Sequence, residues 1–211
     1  GTAATRRRLS ISVDDVEVSE TETRTQSAVA LLVDTSFSMV MDNRWLPMKR
    51  TALALNHLIS TRFRSDALQI IAFGRYARTV TAAELTGLEG VYEQGTNLHH
   101  ALALASRHLR RHPNAQPVVL VVTDGEPTAH LEDYDGRGTT GPSVFFDYPP
   151  HPRTIAHTVR GFDDVARLGA QVTIFRLGDD PGLARFIDQV ARAGSWCPNS
   201  MVWARRWSVT T

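Results

Sequence analysis

The sequence predicts a doubly wound, mostly parallel α/β sheet with helices on both faces and one short antiparallel edge strand. Three observations carry that reading. Two unbroken apolar runs, Ala28 to Val33 and Val118 to Val122, have the length and composition of strands buried on both faces. Strand-like and helix-like segments alternate along most of the chain, as crossover connections require. No internal repeat breaks the pattern, so residues 26–194 read as one domain, and 211 residues are enough for a large core.

The elements follow in order. Leu9 to Val18 alternates weakly, through Ile11, Val13, Val16 and Val18, and is expected as an edge strand within an N-terminal extension over residues 1–25. The first core strand spans residues 28–34. Pro47 precedes a helical pattern from Met48 to Thr61, with Leu53, Leu55, Leu58 and Ile59 as its apolar positions. Asp66 to Phe73 is a second buried strand; Gly74 ends it, and Ala77 to Thr81 pairs back antiparallel. Asn97 to Arg110 is a helix with Leu98, Ala101, Leu102, Ala105 and Leu109 on one face. Pro117 to Thr123 is a strand, Thr154 to Leu168 a helix, Val172 to Leu177 a strand and Leu183 to Ala193 the last helix. From Ala129 to Arg153 no period is present, and loops of that length are usually functional or disordered. Its aromatic cluster, Phe145, Phe146 and Tyr148, is expected either to face a partner or to fold back as a satellite core.

Composition narrows the function classes. With 42% hydrophobic and 21% charged residues the chain fits a soluble globular protein. A net charge of +1 supplies no field to draw nucleic acid or a membrane surface. The lone Cys197 cannot form an internal disulfide, which fits a reducing, cytoplasmic setting. Arg6, Arg7 and Arg8 are not followed by the apolar core of a secretion signal, and no stretch approaches the roughly 20 apolar residues of a spanning helix. The chain opens inside an ordinary polar segment, which leaves room for a longer parent protein.

The strand ends carry the chemistry. Val33-Asp34-Thr35-Ser36-Phe37-Ser38 sets one carboxylate and two hydroxyls at alternate positions just past the first core strand. Open α/β sheets bind ligands at that end. Gly95-Thr96-Asn97 brings another hydroxyl before a helix, and the strand from Val118 runs out into Thr123-Asp124-Gly125. Mg²⁺ takes oxygen ligands, few protein carboxylates and several waters. Asp34, Ser36, Ser38, Thr96 and Asp124 supply that chemistry. Each also has a plainer role: Asp34 or Ser36 as a turn or helix cap, Thr96 as a helix N-cap, Asp124-Gly125 as a turn. Arg44 and Trp45 follow the first loop, placed either to border the ion or to serve as a surface residue and a packing aromatic.

This set, in this order, resembles the metal-ion-dependent adhesion site (MIDAS) of von Willebrand factor A (VWA) domains, over roughly residues 26–194. The resemblance implies a Rossmann-like fold and a divalent ion, Mg²⁺ or in its place Mn²⁺ or Ca²⁺. It implies that the two serines and an acidic group hold the ion, and that the threonine reaches it in the ligand-bound form. A partner protein's acidic side chain then completes the coordination, so the module binds a protein and carries no catalytic residue. The variety most resembled is bacterial and intracellular, coupled to AAA+ ATPases of the MoxR or magnesium-chelatase type. The cues are Leu31-Leu32-Val33-Asp34-Thr35-Ser36-Phe37-Ser38-Met39, Pro47-Met48-Lys49 and Gly95-Thr96-Asn97-Leu98. The sequence contains no Gly-x-x-x-x-Gly-Lys nucleotide loop.

An enzyme reading competes. Asp34 and Gly178-Asp179-Asp180 are similar to the strand ends of haloacid-dehalogenase-type phosphohydrolases, in which the first aspartate is a nucleophile and the later pair helps hold Mg²⁺. Ser36 stands where that family has a second aspartate, and Lys49, the only lysine, lies in the first helix rather than near a later strand. Asp180 before Pro181 also fits the cap of the last helix. The histidines offer no ligand set. His99 and His100 diverge on a helix, and His57, His108 and His112 lie on separate turns, so packed or solvated histidines are expected.

The tail, residues 195–211, changes character: it holds three of the four tryptophans, Trp196, Trp203 and Trp207, without a period. In the resembled family the last helix is followed by a small strand and an acidic, aliphatic segment. Shifting the frame by one nucleotide, with GC-rich codons, turns Ser195 onward into Leu-Val-Pro-Glu-Leu-Asp-Gly-Leu-Gly. The tail is therefore expected to be out of frame, with poorly packed tryptophans; the alternative is a divergent tail that covers the sheet edge.

Overall fold

The structure is a computed structural model that describes residues 26–90, 93–132, 143–193 and 201–204. The edge strand expected at Leu9 to Val18 lies outside the described residues. The strands are β1 (Ser27–Asp34), β2 (Ala67–Phe73), β3 (Ala77–Val80), β4 (Gln116–Thr123), β5 (Ala129–Leu131), β6 (Val144–Phe146), β7 (Gln171–Arg176) and β8 (Met201–Ala204). Six of them form one sheet in the order β3-β2-β1-β4-β7-β8, and every ladder except β2–β3 is parallel. This is the predicted doubly wound α/β sheet with its short antiparallel strand.

Alternation along β1 explains why its sequence is apolar throughout. Ala28, Ala30 and Leu32 face one core, built with α4 (Leu98–Arg110), α5 (Pro152–Arg167) and α6 (Pro181–Ala193). Leu31 and Val33 face the other, built with α1 (Phe37–Met41), α2 (Trp45–Arg62) and α3 (Ala82–Gly87). A central parallel strand has no wet side, so both faces must be apolar.

Several elements differ from the sequence expectation. Helix α2 starts at Trp45, three residues before Met48, and Pro47 sits in its first turn, where a missing N–H leaves no helix bond unmade. The short helices α1 and α3 carry too few residues for a visible period; α3 is opened by a reciprocal Thr81–Glu84 capping box. The interval after Ala129 is not without regular structure, because β5 and β6 pair antiparallel, Ala129 opposite Phe146 and Leu131 opposite Val144. Phe145 and Phe146 are half-buried there; the Phe145 ring centre lies 5.0 Å from that of His130 and 5.3 Å from that of His151. These two aromatics form the satellite core, and Tyr148 alone is widely exposed, at 75%. In the tail, the backbone of Met201 to Ala204 runs parallel beside β7, Val172 opposite Met201. Trp196 and Trp207 lie outside the described residues.

Candidate metal centre

The topology creates the site. From β1 the chain crosses toward β2 under α1 and α2, whereas from β4 it crosses the other way, through α5, to β7. Neighbouring strands whose connections diverge leave a crevice beyond their carboxyl ends, and ligands of doubly wound sheets bind there. Asp34 is the last residue of β1, and Asp124 follows the last residue of β4. Both are fully buried.

A chain of hydrogen bonds connects them. Ser36 N–H donates to Asp34 Oδ1 at 2.9 Å, and the Thr123 hydroxyl donates to Asp34 Oδ2 at 2.6 Å. The hydroxyls of Ser36 and Ser38 lie 3.1 Å apart, and Ser38 donates to Asp124 Oδ1 at 2.9 Å. Arg44 Nη1 reaches Asp124 Oδ2 at 3.3 Å and Asp42 Oδ2 at 3.2 Å. Thr96 is buried on the adjoining loop and is fastened through its backbone. Its N–H donates to Thr128 Oγ1 at 2.9 Å, and its carbonyl accepts from Thr128 and Ala129 N–H. The structure thus draws Asp34, Ser36, Ser38 and Asp124 into one network and ties Thr96 to the segment that leaves Asp124.

Asp34 does cap the turn, through Ser36 N–H, while the plainer roles fall away for the other residues. Ser36 stands at the N-cap of α1 but makes no side-chain cap bond, since its hydroxyl faces Ser38. Asn97, not Thr96, caps α4: its Oδ1 accepts from His100 N–H at 3.0 Å, and its amide donates to the Arg75 carbonyl at 2.9 Å. Asp124 turns its carboxylate inward to Ser38 and Arg44 rather than closing a turn.

The electrostatics favour a cation. Burial, and then the facing charge of Asp124, push the Asp34 carboxyl up to about 7. Burial also raises Asp124, against the hydrogen bond from Ser38 and the charge of Arg44. Two buried carboxylates raised by desolvation, one of them also by the charge of the other, form a site that a cation would stabilise. Among the described residues no cluster of three or more His, Cys, Asp or Glu is placed to hold an ion. The donors here are instead two carboxylates and several hydroxyls, an all-oxygen set that fits Mg²⁺ or a similar hard cation with waters retained.

Thr123 is the site residue that the sequence hid, because it looks like one more β-branched position in an apolar strand. Trp45 packs into the α2 core, with Lys49 Nζ 5.5 Å from its ring centre, so of the pair at the first loop only Arg44 borders the carboxylates. Lys49 also donates to the Thr86 carbonyl at 2.8 Å, and Asp180 Oδ1 caps α6 by accepting from Leu183 N–H at 2.7 Å. Lys49 and Asp180, two of the groups that the phosphohydrolase reading would use, are thus engaged elsewhere. No helix among the described residues is long and apolar enough to cross a membrane.

Comparison with known proteins agrees with the topology. Solved structures with this fold include the PilB minor pilin of Streptococcus sanguinis, with a TM-score of 0.65 at 16% identity, covering 86% of this chain and 57% of that one. The vWF domain of the type V pili tip protein Mfa5 from Porphyromonas gingivalis gives 0.58 at 11% identity, over 85% of this chain and 90% of that one. Manganese-loaded Plasmodium vivax TRAP protein gives 0.56 at 18% identity, over 85% of this chain and 68% of that one. In sequence, the uncharacterized protein Rv0959 of Mycobacterium tuberculosis is 87% identical over 190 residues, 90% of this chain, and Mb0984 of Mycobacterium bovis matches equally. This chain spans 28% of the length of those relatives. The family described as "Rv0959-like protein, vWA domain" matches residues 27–196, and the chain belongs to that family of VWA domains.

Proposed function

We propose that this domain is a divalent-metal-dependent protein-binding module. Asp34, Ser36, Ser38, Thr96 and Asp124 would hold Mg²⁺, or Mn²⁺ or Ca²⁺ in its place. The observation that carries the reading is the buried network joining Asp34 to Thr123 and, through Ser36 and Ser38, to Asp124. The bound ion would offer an exchangeable coordination position to an oxygen ligand. An acidic side chain of a partner protein is the matching group. The residues of this chain position the carboxylates, exclude bulk water from Asp34 and supply hydroxyl oxygens; no bond need be broken. That the TRAP neighbour, which shares the fold, is manganese-loaded supports divalent-metal binding by this chain.

The partner we favour is an AAA+ ATPase of the MoxR or magnesium-chelatase type, in a bacterial cytoplasmic assembly; the motif resemblance and the lone Cys197 support this. The test is capture of partners from lysate with the chain in Mg²⁺ or in EDTA, read by mass spectrometry. Asp34→Ala is the control, expected to lose every Mg²⁺-dependent partner while staying folded. A partner set unchanged by EDTA and by Asp34→Ala overturns the reading. We further propose that residues 195–211 are out of frame; the family match, which ends at residue 196, supports this, and gene resequencing with intact mass tests it.

A further inference from the structure

We propose that Arg44 competes with the divalent ion for Asp124 and so sets how tightly the ion is held; this rests on the metal-binding reading above. Both oxygens of the buried Asp124 carboxylate are engaged, Oδ1 by the Ser38 hydroxyl at 2.9 Å and Oδ2 by Arg44 Nη1 at 3.3 Å. One of the engaging groups is therefore a full positive charge. Two cations gathered on one carboxylate in a partly desolvated crevice repel each other strongly.

The seat of the guanidinium is built into the fold. Asn43 takes a left-handed φ of 55°, which turns the chain so that Arg44 opens α2 beside the crevice. Gly178, at φ 140° in the loop after β7, lies under the guanidinium: a Cβ there would stand 2.7 Å from Arg44 Cζ and 2.9 Å from its Nη2. A side chain at that position would push the flat group away. The same Nη1 also touches Asp42 at 3.2 Å; the Asp42 side chain is 53% exposed, whereas that of Asp124 is 0% exposed. Arg44 thus has one carboxylate inside the site and one at its rim. When it yields Asp124 it keeps Asp42. By reciprocity, an acidic partner group that draws Arg44 away from Asp124 tightens the ion, and the ion in turn releases Arg44 toward that group.

The test is Mn²⁺ binding to the whole chain, titrated by electron paramagnetic resonance, for wild type, R44Q, R44K, R185Q and D34A. R44Q removes the competitor and is expected to bind Mn²⁺ roughly tenfold more tightly. R44K keeps the charge but lacks the planar fork that lies across Gly178, so it is expected to bind more tightly than wild type. R185Q removes an exposed positive charge of α6 and is expected to bind as wild type does. The proposal is overturned if R44Q binds no more tightly than wild type, or if R185Q gains as much as R44Q. Mn²⁺ binding that is equally absent in wild type, R44Q and D34A overturns the metal reading itself, which is a distinguishable failure.

Discussion

Thr123 donates its hydroxyl to Asp34 Oδ2 at 2.6 Å, so the last residue of β4 fixes the carboxylate at the end of β1. The bond spans the crevice and holds one oxygen of Asp34 at a set angle while Ser36 N–H holds the other. Replacing the hydroxyl by a methyl of the same shape leaves a buried carboxylate short of a donor. Thr123→Val should therefore cost about 1–3 kcal/mol of stability near pH 8 and weaken Mg²⁺ binding. Thr123→Ser keeps the donor and should stay near wild type in both. Denaturant melts and calorimetric titration of the two variants check this; equal melts for both would show that the bond contributes little.

Asp34 titrates at about 7 in the folded chain against 3.8 for an ordinary aspartate. The folded state then holds the proton more tightly than the unfolded state. Stability contributed by this group falls as pH rises from about 4 to about 7 and is level above that. In chelated buffer, wild type should lose about 2–3 kcal/mol relative to Asp34→Asn between pH 5 and pH 8. Mg²⁺ should stabilise wild type more at pH 8 than at pH 6, because proton and ion compete for the same oxygens. Parallel pH profiles for wild type and Asp34→Asn would contradict the assignment.

Asn97 joins two loops through one side chain, accepting from His100 N–H and donating to the Arg75 carbonyl, and it is fully buried. Asn97→Ala loses the helix cap and strands the Arg75 carbonyl, an expected cost of about 2 kcal/mol. Asn97→Asp keeps the cap and loses the donor, so it should fall between the two. Equal melting of Asn97→Ala and wild type would refute the cap.

Tyr148 is the exposed aromatic beside the β5–β6 pair, following β6 on the segment that returns toward α5. Tyr148→Ala should weaken capture of an Mg²⁺-dependent partner several-fold, as loss of an exposed aromatic anchor does. It should leave Mn²⁺ affinity unchanged. Partner capture equal to wild type would remove this segment from the interface.

Much of this was legible in the sequence. β1 and β4 declared themselves as unbroken apolar runs, because central parallel strands meet core on both faces. Helix α4 showed its buried stripe, and the motif order placed Asp34 and Asp124 at the ends of β1 and β4, where the structure has them. Other parts were silent for physical reasons. β5 and β6 are three residues each and pair across an interval of the chain, so no local period marks them. The five residues of α1 are too few for a helical stripe. Thr123 belongs by type to a β-strand, and only the facing of two strand ends makes its hydroxyl a partner of Asp34. Arg44 stood beside the motif, but Gly178, which gives its guanidinium a seat, is far away in sequence.

The position of β1 has a mechanical consequence. It is flanked by parallel ladders on both sides, Ala28 to Asp34 against β2 and Ser27 to Val33 against β4. A tug applied at Asp34 and resisted by β2 and β4 runs along the strand axis. It loads both ladders in shear, so their bonds share the force instead of unzipping in turn. A tether anchored at this end of the sheet pulls on a strand braced along both of its edges.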